Sequence, residues 1–116
     1  MRHGYAHKVD ANQAAIVAAF ERMGCIVIDL SGVGNGCADI LVQHGFAMIA
    51  VEIKDGEKVP SARRLTDAQE KLHARMTIRI CLDIDDVLRL GRELRQMNAD
   101  ICQARQQRIK EVSCKS

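Results

Sequence analysis

The first hydrophobic pattern of the chain has helical spacing. Ile16 and Phe20 lie four residues apart among alanines, which predicts a helix that buries these two side chains. Asp10 precedes the pattern as an N-cap, with Gln13 three residues further on, as in a capping box. Gly24 follows the pattern and is expected to stop the helix. The same spacing places Gln13 on the inward face of this helix.

Strand-like segments come next. Residues 25–30, CIVIDL, form a β-branched run that is typical of a strand. Residues 36–56, GCADILVQHGFAMIAVEIKDG, predict a β-hairpin with its turn at His44-Gly45 or a four-residue version of that turn. The hairpin is apolar on both faces, a pattern of strands that are covered on both sides. We therefore expect a three-layer α/β/α domain.

The second half of the chain returns to helical and then strand spacing. Segment 65–76, LTDAQEKLHARM, predicts a helix in which Thr66 and Gln69 have capping-box spacing. Segment 77–83, TIRICLD, predicts a strand with alternate apolar residues on one face.

Three aspartates, Asp83, Asp85 and Asp86, stand where the last helix begins. Acidic residues are favourable at a helix N-terminus because of the helix macrodipole, so we interpret them as helix-start residues. A second metal site is the alternative interpretation.

The last helix carries an unusually long apolar seam. Its members recur at alternating three- and four-residue intervals and are Val87, Leu90, Leu94, Met97, Ile101 and Ala104. The helix either continues through Asn98 to Asp100 or breaks there. The chain thus divides into an arm (1–9), a domain (10–97) and a C-terminal helical tail (98–116). The end of the seam needs a partner, and we expect a homodimer.

Composition narrows the class of protein. A chain of 116 residues, 47% hydrophobic and 28% charged, suits one globular domain. It has no run of 18 apolar residues and no apolar core of a signal peptide, so we expect no membrane partner and a cytoplasmic location. The five cysteines are odd in number and form no CxxC pair, which predicts free thiols.

Charge is divided unevenly along the chain. Residues 1–57 hold 4 basic and 7 acidic residues, and residues 58–116 hold 13 basic and 8 acidic ones. An acidic centre beside a basic half suits a metal-dependent enzyme acting on a polyanion, although a solvated helix surface explains the same basic residues. Aromatic residues make up only 3% of the chain, so the backbone of duplex DNA is a better candidate partner than stacked single-stranded bases.

Three charged residues fall in the apolar hairpin. Side chains alternate along a strand, so Asp39, Glu52 and Lys54 share a face in either register of the hairpin. Two carboxylates there can bind one Mg²⁺ or Mn²⁺, and a neighbouring lysine can act on water or phosphate. The alternative is a structural Glu52–Lys54 salt bridge, with Asp39 capping a loop.

These residues belong to three motifs that follow one another along the chain: Gly36-x-x-Asp39-Ile-Leu-Val, Val51-Glu52-Ile53-Lys54-Asp55-Gly56 and Leu65-Thr66-x-x-Gln69. Together they resemble the motifs of the PD-(D/E)XK nuclease superfamily. More narrowly, the chain is similar to small stand-alone VRR-NUC-type nucleases, often encoded by phages. The opening D-A-N-Q-x-x-I-V fits that branch, and the resemblance covers about residues 10–90.

The resemblance implies a restriction-endonuclease-like fold with a central mixed sheet. It implies Asp39, Glu52 and the backbone carbonyl of Ile53 as metal ligands, Lys54 as the residue that handles water, and Gln69 facing the site. Gln13 stands where many relatives carry a glutamate and would be an accessory residue. Ala38 stands where the family usually has proline.

The implied activity is Mg²⁺-dependent endonuclease cleavage of structured or branched DNA, including Holliday junctions, in the cytoplasm of a bacterial host if the chain is phage-encoded. Basic residues that flank the motifs are candidates for phosphate contacts: Lys58, Arg63, Arg64, Lys71 and Arg75. A non-catalytic DNA-binding or assembly module with the same fold is one alternative, and an RNA-directed nuclease is another.

Overall fold

The computed structural model of the protein describes residues 11–56 and 64–114. Within these ranges, three helices and four strands follow one another: α1 (Ala11–Arg22), β1 (Ile26–Asp29), β2 (Ile40–His44), β3 (Ala47–Ile53), α2 (Asp67–His73), β4 (Ile78–Cys81) and α3 (Ile84–Cys114). The predicted α/β class and order of elements are confirmed. The predicted arm and the Asp10 cap lie outside the described residues.

The four strands form one mixed sheet in the order β1-β2-β3-β4, antiparallel except for the parallel pair β3–β4. His44 pairs with Ala47, so the hairpin loop is Gly45-Phe46, one residue later than the two-residue alternative, and the register is that of the four-residue alternative, which places Asp39 opposite Glu52. Gly45 has a φ of 62°, whereas Phe46 has no positive φ, as in a type II′ turn. This loop sets the register in which Ile40 faces Val51.

Helices α1 and α3 cover one face of the sheet and enclose the core. Its fully buried side chains come from both helices and from the middle strands: Ile16, Phe20, Ile40, Val42, Val51, Val87, Leu90 and Leu94. Gly24, with a φ of 86°, follows the end of α1 as predicted. None of the helices in the described ranges is long and apolar enough to cross a membrane.

The opposite face of the sheet is largely uncovered. We call it the open face, and its residues are Ile26, Ile28, Leu41, Gln43, Met48, Ala50, Ile78 and Ile80, which the strand registers place on one side. Several of its large apolar side chains are exposed, including Ile26 at 64%, Ile28 at 49% and Met48 at 47%. Within the described ranges, the prediction that both faces are covered is therefore correct for one face only. The seven-residue helix α2 buries none of its residues and reaches only one end of the open face.

Helix α3 is continuous over 31 residues, about 46 Å at 1.5 Å per residue, so the alternative of a break near Asn98 is wrong. Asp83 Oδ1 accepts a hydrogen bond from the Asp86 amide at 2.9 Å, and Asp86 Oδ2 accepts one from the Leu82 amide at 2.8 Å. These bonds support the helix-start interpretation of the aspartates. The buried residues of α3 end at Leu94.

The loop before β2 rests against the first turn of α2 through Gly36. This residue has a φ of 78°, and a Cβ atom there would lie 2.5 Å from the carbonyl oxygen of Ala68 and 2.9 Å from the amide nitrogen of Gln69. Only glycine therefore allows the loop and the helix to approach this closely.

We expect Gly36→Ala to lower the free energy of unfolding by about 1–2 kcal/mol, because alanine is disfavoured at positive φ and its methyl group has no space. Urea denaturation would measure this. Gly32→Ala is the matched control, because a Cβ at Gly32 meets no atom within 4 Å. Equal stability of the two variants would contradict the proposed contact.

Candidate active site

The strand register brings the two predicted acidic residues together. Asp39 immediately precedes β2, and Glu52 lies near the end of β3. Because Ile40 pairs with Val51, Asp39 lies at the level of Glu52 on the neighbouring strand. Both side chains are on the open-face side of the sheet, at the end away from the hairpin loop, and Lys54 follows on the same side. The shared face predicted from alternation is present.

The backbone of β3 also faces Asp39. The amide of Ile53 donates a hydrogen bond to Asp39 Oδ2 at 2.7 Å, whereas the next amide, that of Lys54, donates to the carbonyl of Cys81 on β4 at 3.0 Å. In a strand, the N–H and C=O groups of one residue point to the same neighbouring strand. The carbonyl of Ile53 is therefore directed to the same side as Asp39.

The carboxylate of Glu52 is almost completely buried, with 3% of its side chain exposed. Its Oε2 accepts a hydrogen bond from Gln69 Nε2 at 2.8 Å and lies 3.7 Å from Lys54 Nζ. Its Oε1 is buried and receives no hydrogen bond from a donor among the residues that the structure describes. Burial, followed by repulsion from Asp39 and a side-chain hydrogen bond with Asp39, raises the pKa of Glu52 from 4.5 to about 8, against the opposing effect of Lys54.

The side-chain amide of Gln69 links Lys54 and Glu52 to the start of α2. Its Oε1 accepts hydrogen bonds from the amide of Thr66 and from Lys54 Nζ, both at 3.0 Å, while its Nε2 donates to Glu52. The hydroxyl of Thr66 in turn accepts from the amide of Gln69, which completes the predicted capping box. The start of α2 thus holds the Gln69 side chain where it bonds both members of the E-x-K motif.

Asn12 is a contact that sequence analysis missed. Its Nδ2 donates to the carbonyl of Lys54 at 3.1 Å and to that of Leu82 at 3.3 Å, so α1 bridges the chain just after β3 and just after β4. Asn12 stands inside the D-A-N-Q motif, but an asparagine in the first turn of a helix that only faces solvent would give the same sequence. Its position in the motif was therefore the only signal for this contact.

The other predicted residues have different outcomes. Gln13 is 6% exposed, but no hydrogen bond between its side chain and the site occurs within residues 11–56 and 64–114. Its accessory role stays a prediction. Arg64, Lys71 and Arg75 are exposed near or on α2. Two further candidates for phosphate contacts, Lys58 and Arg63, lie outside the described residues.

The structure contains the Glu52–Lys54 ion pair that the alternative interpretation required, but this ion pair satisfies only part of the acidic pair formed by Asp39 and Glu52. Lys54 approaches only Oε2 of Glu52, while Oε1 receives no hydrogen bond from a donor in the described ranges and Asp39 is a second acidic group beside it. A group of three or more His, Cys, Asp or Glu side chains that could hold a metal is not found in the described part of the chain. Two carboxylates and a carbonyl suffice for Mg²⁺, which keeps several waters or phosphate oxygens as ligands.

The shifted pKa of Glu52 predicts how stability depends on pH in the presence of a chelator. Between pH 4.5 and about 8 the folded protein holds a proton on Glu52 that the unfolded chain has lost. The free energy of unfolding should therefore fall as pH rises through this range. Glu52→Gln should remove this part of the dependence, as measured by urea denaturation at a series of pH values. Glu21→Gln, at an exposed position, is the control, and parallel profiles for wild type and Glu52→Gln would contradict the prediction.

Comparisons with protein-family models, with curated proteins and with solved structures find no family, protein or structure that matches this chain. The resemblance to PD-(D/E)XK nucleases therefore rests on the motif residues and on the positions described above.

Proposed function

We propose that the protein is a Mg²⁺- or Mn²⁺-dependent endodeoxyribonuclease that cleaves structured or branched DNA in the cytoplasm. The observation that carries this proposal is the pair of neighbouring carboxylates: Glu52 is buried, its Oε1 receives no hydrogen bond from a donor among the described residues, and its carboxyl meets that of Asp39. Ionising both carboxylates away from water is costly, so without a cation Glu52 holds a proton up to a pH of about 8. A divalent cation would compensate both.

The residues present fit such an ion. Asp39 and Glu52 would contribute carboxylate oxygens, and the carbonyl of Ile53 points to the same side. All three are hard oxygen donors, the class that Mg²⁺ and Mn²⁺ prefer. A bound ion of this type supplies Lewis-acid stabilisation of the charge that develops on phosphate.

Lys54 would be the catalytic cation of the chain itself. Its ammonium group is held by Gln69 Oε1 at 3.0 Å and lies 3.7 Å from Glu52, so it is fixed beside the carboxylates. From there it can donate a hydrogen bond to a phosphate oxygen or orient the attacking water. Because Gln69 is itself held by the capping box at Thr66, the ammonium is positioned before substrate arrives.

The proposed substrate follows from charge and from the family resemblance. Exposed basic residues near α2, namely Arg64, Lys71 and Arg75, are close in sequence to Gln69 and suit contacts with phosphates. The preference for branched DNA such as four-way junctions comes from the resemblance to stand-alone VRR-NUC-type nucleases.

Cleavage assays on labelled linear duplex, flapped and four-way-junction DNA, each with Mg²⁺ and with a chelator, test the proposal. We expect chelator-sensitive products, most abundant from branched DNA. A parallel RNA substrate would identify an RNA-directed nuclease. DNA binding without a metal-dependent product would instead favour a non-catalytic DNA-binding module.

Within these assays we expect Lys54→Ala and Glu52→Gln each to slow cleavage by about 10²–10⁴-fold, because each removes a group placed at the reacting phosphate. DNA affinity, measured by fluorescence anisotropy with a chelator present, should change little.

Matched controls are Lys110→Ala and Glu21→Gln, which remove the same charges at exposed positions away from the site. Circular dichroism would verify that each variant is folded. Unchanged cleavage by Lys54→Ala would remove the basis for its assigned role.

A further inference from the structure

The parallel strands β3 and β4 separate immediately beside the candidate active site. In a regular parallel ladder, the amide of a residue donates to the neighbouring strand, and its carbonyl accepts from the residue two positions further along that strand. Lys54 keeps the first bond, because its amide donates to the carbonyl of Cys81 at 3.0 Å. The second bond would come from the amide of Asp83. However, β4 ends at Cys81, and no such bond occurs in the described part of the chain.

The side chain of Asn12, on α1, supplies the donor that β4 no longer provides. A side-chain amide carries two N–H groups, and Nδ2 of Asn12 donates to the carbonyl of Lys54 at 3.1 Å and to that of Leu82 at 3.3 Å. Among the described residues, Asn12 is the only donor to the carbonyl of Lys54, whereas that of Leu82 also accepts from the amide of Gly56 at 3.3 Å. Loss of the Asn12 side chain would therefore release Lys54 rather than Leu82.

Two groups of the candidate active site depend on this backbone position. The planar peptide between Ile53 and Lys54 carries the Ile53 carbonyl on one side and the Lys54 amide on the other, so the bond of that amide to β4 directs the carbonyl toward Asp39. The Lys54 side chain is 15% exposed, and its ammonium is bonded to Gln69 at 3.0 Å. If Lys54 left the ladder, the carbonyl and the ammonium would both lose their orientation.

We propose that Asn12 is a positioning residue for phosphodiester cleavage, an inference that rests on the function proposed above. Its side-chain amide clamps the backbone of Lys54 between α1 and β4, and so holds the lysine ammonium and the Ile53 carbonyl in place for the reacting phosphate. Asn12 acts through the backbone of another residue and is assigned no contact with metal or DNA. A displacement of reacting groups by about 1 Å can slow a reaction on the order of 10²-fold, so the clamp should affect turnover rather than binding.

The donor role of Asn12 can be separated from its size. Asn12→Asp keeps the shape of the side chain but replaces the N–H donors with a carboxylate oxygen, which would face two carbonyl oxygens. An acidic residue in the first turn of α1 is otherwise favourable because of the helix macrodipole, so the helix should form. Asn12→Ala removes the amide altogether. The two variants should behave alike if the hydrogen bonds, and not the packing, position Lys54.

Asn98→Ala is the matched control. Asn98 also joins a helix to the backbone of the sheet, because its Oδ1 accepts a hydrogen bond from the amide of Phe46 in the hairpin loop at 2.8 Å. That loop lies at the opposite end of β3 from Lys54. Control and test therefore remove the same type of side chain and the same type of contact, but only the test does so beside the carboxylates.

Amide hydrogen exchange, followed by NMR with a chelator present, is the first readout, and it does not depend on nuclease activity. We expect the Lys54 amide to exchange about tenfold faster in Asn12→Ala and Asn12→Asp than in the wild type, because local opening becomes easier, while exchange at Phe46 stays the same. Asn98→Ala should have the reverse pattern. A general loss of stability would speed exchange at both amides in every variant.

Steady-state cleavage of four-way-junction DNA with Mg²⁺ is the second readout. We expect Asn12→Ala and Asn12→Asp to lower kcat by about 10–100-fold and to change KM by less than about twofold, because the ammonium is misplaced while the DNA-contacting surface is intact. Asn98→Ala should leave both constants unchanged. In a Lys54→Ala background, Asn12→Ala should cost less than it does in the wild type, since the lysine that it positions is absent.

The possible failures are distinguishable. Unchanged exchange at Lys54 in Asn12→Ala, or wild-type behaviour of Asn12→Asp, overturns the clamp. Equal cleavage by the wild type and Asn12→Ala overturns the positioning role of Asn12 and leaves the proposed function standing. A wild type that gives no metal-dependent product overturns the proposed function and the positioning role together, whatever the exchange rates are.

Discussion

The burial of the Glu52 carboxylate beside Asp39 is the interaction on which the rest of the site depends. Burial and the neighbouring charge together raise the pKa of Glu52 to about 8, so the fold places this carboxyl where its ionised form is unfavourable. Each surrounding contact limits the cost. Gln69 donates to one carboxylate oxygen and Lys54 approaches the same oxygen, whereas the other oxygen receives no hydrogen bond from a donor among the described residues, so without a cation the carboxyl holds a proton and bonds to Asp39. A structure that satisfies one half of a buried carboxylate and leaves the other half open is suited to a cation that completes it.

Much of this site could be predicted from the sequence because it depends on short-range rules. Alternation along strands was enough to place Asp39 and Glu52 on one face, and the spacing of Thr66 and Gln69 was enough to predict the capping box that holds Gln69. Alternation could not choose between the two predicted registers; the structure has the one that places Asp39 at the level of Glu52, with Gly45 at positive φ in the loop. The bridge made by Asn12 could not be predicted, because it joins residues 42 and 70 positions apart.

The missing third layer shows a different limit of sequence reasoning. Apolar residues on both faces of the hairpin predict cover on both faces, and the described residues provide it on one. On β4, Ile78 and Ile80 are on the open face while Arg79 pairs with Glu93 of α3. The pattern does not specify which chain supplies that cover. Within the described part of one copy, the connection from β3 to β4 contributes only a seven-residue helix.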